Sequence, residues 1–379
     1  MAKPVLWERH PNPISWAASG TISEELSPKP FTITRMAIVQ RLIATTTTGT
    51  WYNDPYERVI SRLNLTGAGK TYFDVSQVRA LYHMSRLAGF GPRRPDKIAD
   101  SITTGDMYML HMFHFGVAPT IVDPVTRTLR DNPFDLSAGI PPSSAGNLTL
   151  GGSFAAAAAM GSNITITDGD LDIYFCGVRP EPGDAPELYM PRAFPRWDMQ
   201  SPSLSATSSA FATEHNIPSG DFLHSMLCLL TNGSNDPRDD SVLNSIELYN
   251  QLDGSVVSRY GGQTGVVGDY KAAELLSQFN PARITPLSDN VTTAMDAIAS
   301  GGTPGTIAAG GPPSDSGLVW FDLSGVAHRA RTPYGVDMRG VNTGDLKLRY
   351  GISDATGVAM HILYRRYQLN PAHPANAGI

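Results

Sequence analysis

The sequence predicts an all-β chain built as two tandem eight-stranded jelly rolls with short flanking helices. Three observations lead there. Charged residues are 17% of the 379-residue chain, below the roughly 25% of an average globular domain, while 36 Gly and 29 Pro supply turns. Short segments with period-two hydrophobicity recur along the whole length, as in half-buried strands. The two halves also carry similar landmarks in the same order.

The length fits two domains at a typical ~100–200 residues each, and a core of that size needs no disulfide staples. Residues 1–30 lack periodicity and read as an N-terminal arm. The first jelly roll spans 31–180. It opens on the alternating Phe31-Thr32-Ile33-Thr34 and continues through the apolar, β-branched run from Met36 to Ala44. Asp74 is placed to cap a helix over Val75 to Ala88, with Gln77 at the capping-box position and Gly89 just past the end. Strands are predicted at Met107 to Val117 and Asn147 to Gly152. In the next, Leu171, Ile173 and Phe175 share one face and Asp170, Asp172 and Tyr174 the other.

Residues 181–217 hold Pro182, Pro186, Pro191, Pro195 and Pro202 and a Ser-rich patch, and read as an interdomain linker, because proline removes donors and fixes φ. The second jelly roll spans 218–379, with an exposed Gly-Pro-Ala-rich loop at 300–317. Its strands are predicted at Asp221 to Leu230, Leu318 to Leu323, Leu346 to Tyr350 and Val358 to Arg365, with a helix over Tyr270 to Phe279 behind Asp269.

The landmarks pair as follows. Asn53-Asp54-Pro55 with Val59 to Leu65 matches Asn235-Asp236-Pro237 with Val242 to Leu248. The Asp74 helix matches the Asp269 helix, and Phe134-Asp135-Leu136-Ser137 matches Phe321-Asp322-Leu323-Ser324. Gly169 to Phe175 matches Gly344 to Tyr350. A tandem duplication of one β-domain accounts for all four.

Composition excludes several functions. The net charge is −6 and no block of like charge occurs, so no basic stripe for nucleic acid is present. Of 29 basic residues only six are Lys. Arginine is the more weakly hydrated cation and suits packed interfaces. No run of 18 apolar residues could span a membrane, and no signal peptide is expected from residues 1–11. Without one, the Asn-x-Ser/Thr sequences at Asn64, Asn147, Asn163, Asn232 and Asn290 read as strand and turn composition. Cys176 and Cys228 lie in apolar strand-like runs and read as buried free thiols.

Motifs that could carry chemistry each lack a necessary part. Gly67-Ala68-Gly69-Lys70-Thr71 resembles a phosphate loop, but Asn64 stands where a Gly is needed and no helix follows directly. Asp168, Asp170 and Asp172 mimic a calcium loop, but position six is Ile173 and position twelve Arg179. His111 and His114 would point to opposite faces of one strand. His83, His224, His328 and His361 are scattered, and Asp239-Asp240 sits in turn sequence. No Gly-x-Ser-x-Gly elbow occurs. No catalytic residue, cofactor site or metal ligand set is predicted.

The matched β-domains, the arm, the flanking helices and the 300–317 loop together resemble the double jelly-roll major capsid proteins of the tectivirus–adenovirus lineage of tailless icosahedral DNA viruses. The stretch from Asn132-Pro133-Phe134-Asp135-Leu136 through Ser143-Ser144-Ala145-Gly146-Asn147 is similar to prokaryotic members. The resemblance covers almost the whole chain, with generic motifs. It implies a self-assembling, non-enzymatic shell protein of the virion, assembled in the host cytoplasm. Homotrimers of six rolls would form pseudo-hexagonal capsomers, with neighbouring capsomers, penton and minor capsid proteins as partners. The arm, with Trp7, Trp16 and Phe31, would reach beneath neighbours or toward an internal membrane. A spike or penton protein of the same virus is a further reading. The alternative from another class is a carbohydrate-binding or carbohydrate-active tandem β-sandwich, using Trp51-Tyr52 or Trp197 as sugar platforms.

Overall fold

Alternation of apolar and polar residues generates the strands. In Thr32–Thr45, Met36, Ile38, Leu42 and Ala44 are buried while Val39, Arg41 and Ile43 are partly exposed. The computed structural model describes residues 3–26, 28–45, 50–51, 56–87, 104–117, 120–122, 129–132, 135–142, 148–233, 238–239, 242–261, 317–324 and 333–377.

In chain order the first half contributes β1 (Lys3–Arg9), β2 (Thr21–Glu25), β3 (Thr32–Thr45), β4 (Ile60–Gly67), β5 (Lys70–Val75), the helix α1 (Val78–Leu87), β6 (Thr104–His114), β7 (Thr149–Phe154) and β8 (Thr165–Arg179). The second contributes β9 (Ala193–Gln200), β10 (Thr213–Asn216), β11 (Phe222–Asn232), β12 (Leu243–Asn250), β13 (Ser255–Gly261), β14 (Leu318–Asp322), β15 (Leu346–Ile352) and β16 (Val358–Leu369). Shorter ladders lie outside this scheme.

Hydrogen bonding orders the first half as β1-β8-β3-β6 and β2-β7-β4-β5. It orders the second as β9-β16-β11-β14 and β10-β15-β12-β13. Each strand thus has a counterpart eight strands later at the same place in its sheet, which is the jelly-roll topology twice over. In the first roll, Met36, Ile173 and Phe113 from one sheet and Leu63, Leu150 and Phe73 from the other share one core. In the second, Met226, Ile362 and Val319 share a core with Ile246, Leu248 and Leu348.

The rolls are joined side by side. β5 and β9 meet in parallel at Phe73–Trp197 and Asp74–Asp198, so one sheet of each roll runs into the other. The sheet β9-β16-β11-β14 is apolar on both faces. Leu227, Leu229, Leu318, Trp320 and Leu363 turn away from the second core and belong to the first. α1 packs on β4, β6, β11 and β16, and its Leu81, Tyr82 and Met84 are buried in that joint core.

Four sequence-based placements change. Residues 1–30 are not a free arm: β1 pairs β8 and β2 pairs β7, Phe31 is fully buried, and Trp16 packs against the core. Residues 181–217 are not all linker, since Ala193–Gln200 is β9 and Thr213–Asn216 is β10. Pro195 is compatible with a strand because β5 meets β9 only at Trp197 and Asp198, clear of its missing N–H. The helix begins at Val78, because Asp74 belongs to β5 and binds Arg62 through both carboxylate oxygens at 3.0 and 2.8 Å instead of capping.

The fourth change concerns the landmarks. Val59 to Leu65 and Val242 to Leu248 do lead into and along the counterparts β4 and β12. Gly169 to Phe175 lies on β8, whereas Gly344 to Tyr350 leads into and along β15, the counterpart of β7. Asp135 and Asp322 likewise sit at non-equivalent places but make the same turn, accepting from the Ser137 and Ser324 amides at 3.0 Å. Shared turn chemistry produced that match. Gly89, the helix over 270–279 and the 300–316 loop lie outside the described residues, as do Tyr52, Phe134, Asp240, Asn147, Asn290 and His328.

Candidate functional site: the junction between the rolls

The residues that end β6 and begin β16's last turn of register build a buried polar junction. β6 leaves its sheet at His114, and the chain continues through Phe115 and Gly116. Opposite them, β16 presents Arg365, Arg366 and Tyr367, all buried. Arg365 Nη2 donates to the His114 carbonyl at 3.1 Å and the Gly116 carbonyl at 2.8 Å. Tyr367 Oη donates to the same Gly116 carbonyl at 3.4 Å, and Tyr334 Oη to the Ser137 carbonyl at 2.8 Å. A Cβ on residue 116 would meet the Asp135 carboxylate, which packs against Gly116 and would have to move aside.

Aromatic rings surround these bonds. Trp197 stacks on Phe113 with centroids 5.9 Å apart, and Phe113 stacks on Phe73 at 4.6 Å. The Arg365 guanidinium lies 5.6 Å from the ring centres of both Trp197 and Tyr367. Burial pushes Tyr367 up to about 12 and raises Tyr334 further. His224 packs edge-on against Tyr367 at 5.5 Å. Burial, helped by Arg365 and opposed by Asp322, takes its pKa down to about 3. Beside this cluster Arg366 binds Asp198 at 2.7 Å and Asp221 at 3.3 Å, and Arg196 also reaches Asp221 at 3.2 Å. All of this is positioning chemistry: neutral phenols, a neutral imidazole and satisfied ion pairs.

The motifs singled out in the sequence are absorbed into structure. Ala68 and Gly69, with φ of 48° and 74°, form a two-residue hairpin turn between β4 and β5, with Gly67 opposite Lys70. Lys70 Nζ rests 3.4 Å from the centre of the Phe194 ring, and burial lowers its pKa. Asp172 pairs with Arg9 at 2.6 Å, and Asp168 and Asp170 lie 3.5 and 3.6 Å from Arg41. His111 is buried against Gln40 (3.3 Å), with its pKa lowered to about 4 by desolvation, and does not share a site with His114. His83 is buried on α1, and His361 accepts or donates a bond with Ser201 Oγ at 2.7 Å. Asp239 accepts from Asn232 Nδ2 at 3.0 Å. Cys176 and Cys228 are both buried thiols, and burial raises the Cys228 pKa. Trp197, considered as a sugar platform, is 3% exposed and belongs to the core. Among the described residues no group of three His, Cys, Asp or Glu side chains could hold a metal, and no helix is long and apolar enough to cross a membrane.

Sequence reasoning missed the junction. Its available signal was two adjacent arginines, Arg365 and Arg366, inside a largely apolar strand.

No family model and no curated protein matches the chain. Solved structures do. The crystal structure of the STIV MCP superposes with a TM-score of 0.65 at 12% identity, covering 100% of both chains. A chain in the atomic structure of Sulfolobus Turreted Icosahedral Virus superposes with a TM-score of 0.66 at 13% identity, covering 99% of this chain and 93% of that one. The likeness extends over both rolls, so the fold is the double jelly roll of such major capsid proteins.

Proposed function

We propose that this chain is a viral major capsid protein that self-assembles as homotrimers into an icosahedral shell. One observation carries the reading: a pair of rolls with matching strand order, joined through one continuous sheet and superposing end to end on the STIV MCP. Three copies supply six similar rolls, which suits a pseudo-hexagonal capsomer that tiles a closed lattice. The aligned sheets, the buried inter-roll face and the pairing or packing of the motif residues that are described support a structural role. Neighbouring capsomers, penton and minor capsid proteins would be its partners in the virion, with assembly in the host cytoplasm.

Purified protein should scatter light as a homotrimer and show hexagonal outlines in negative stain. A monomer that instead binds sugars on a glycan array would overturn the reading in favour of a carbohydrate-binding protein.

A further inference from the structure

Most of the contact between the rolls is apolar. Leu227, Leu229, Trp320 and Leu363 pack into the first core alongside α1. Such contact is strong but has no direction, so it holds the rolls together without fixing their mutual rotation. Directed bonds between the rolls come from the short β5–β9 pairing, from the Gly139 amide, which donates to the Ala193 carbonyl at 3.1 Å, and from the side chains of the junction. Both Nη2 protons of Arg365 are spent on first-roll carbonyls two residues apart, His114 and Gly116, while the guanidinium plane is flanked by Trp197 and Tyr367. Two acceptors and two rings constrain one planar group in both position and tilt. Tyr367 and Tyr334 add bonds to the Gly116 and Ser137 carbonyls, and the Asp135 carboxylate packs against Gly116.

We infer that Arg365 is the positioning residue that sets the angle between the two rolls, and through it the outline of the capsomer. The second clause rests on the capsid reading; the first does not. The local reporter is the Val117 amide, which donates to Ser137 Oγ at 2.9 Å and so reads whether the junction is closed.

The test compares wild type, R365M and a core control, I38V, by hydrogen exchange and by electron microscopy of assembled particles. Ile38 is fully buried on β3 and makes none of the junction's hydrogen bonds, so I38V lowers stability without removing any of them. In R365M the Val117 amide is expected to exchange at least tenfold faster while β3 and β11 amides stay protected. Trimers should still form but give particles of mixed diameter, whereas I38V gives uniform ones. Unchanged exchange at Val117 in R365M would overturn the inference. Faster exchange with uniform shells would overturn its second clause. Wild type that forms no trimer would defeat the capsid reading, and the exchange result would still decide the first clause. If R365M does not fold, Y334F opens the same junction by removing one hydroxyl. It should speed Val117 exchange about threefold, and no change there counts against the inference.

Discussion

On β8 the side chains that turn from the core include Asp168, Asp170 and Asp172, held in solvent by Arg41 and Arg9. On its counterpart β16 they include Leu363, Arg365 and Tyr367, all buried against the first roll. The two strands occupy the same place in the same sheet topology. What differs is what lies outside: water in one case, a neighbouring roll in the other. Topology is therefore fixed by the inward face and the pairing pattern, while the outward face is free to follow its surroundings.

The most severe way to break this comparison is to exchange the outward residues. Leu363→Asp should cost at least ~5 kcal/mol, because an unpartnered carboxylate would enter the joint core, and should abolish soluble folded protein. Asp172→Leu on β8 should leave the urea midpoint almost unchanged. Equal losses from the two variants would refute the contrast.

Acid titration probes the two regions next. His111 in the first roll and His224 at the junction have pKa values near 4 and 3 when folded, mainly through burial, against an ordinary 6.5. Depressed values mean that the unfolded chain binds protons which the folded one refuses. The histidine contribution is therefore whole above pH 6.5 and is lost as pH falls from there toward 4 and 3. At pH 5 each ring should cost roughly 2 kcal/mol. The urea midpoint should drop between pH 7.5 and 5, and H224Q should flatten that dependence by about half.

A finer comparison uses cross-strand ion pairs on counterpart hairpins. Glu247 on β12 is fully buried beneath Arg259 (2.6 Å) and Arg349 (3.1 Å), whereas Arg62 and Asp74 on β4 and β5 are both exposed. Removing one cation from the buried carboxylate in R259M should lower stability by ~2 kcal/mol by chemical denaturation. D74N, in the exposed pair, should stay within ~0.5 kcal/mol of wild type. A larger effect from D74N than from R259M would reverse the order.

Period-two patterning made β8, β15 and β16 legible before any coordinates, and β3, β6, β7, β11 and β14 stood out as strand-like runs, because each has at least one face committed to a core. β1, β2 and β9 were hidden. Pro4 in β1 and Pro195 in β9 mimic linker composition, and the five residues of β2 take their order from β7 rather than from their own pattern. The repeat was readable at β4 and β12, where apolar positions coincide. It was misaligned at Leu171 and Leu346, because any strand with one apolar face resembles any other. Arg365 was illegible for a different reason. Its partners are the carbonyls of residues 114 and 116, about 250 positions earlier, and a backbone carbonyl leaves no mark in a sequence.

The parallel meeting of β5 and β9 has a consequence for how such a gene can change. Either half expressed alone would bare a strand edge, and the second would also uncover Leu227, Leu229, Trp320 and Leu363. Substitutions can alter each roll separately, but parting the rolls would uncover both surfaces at once.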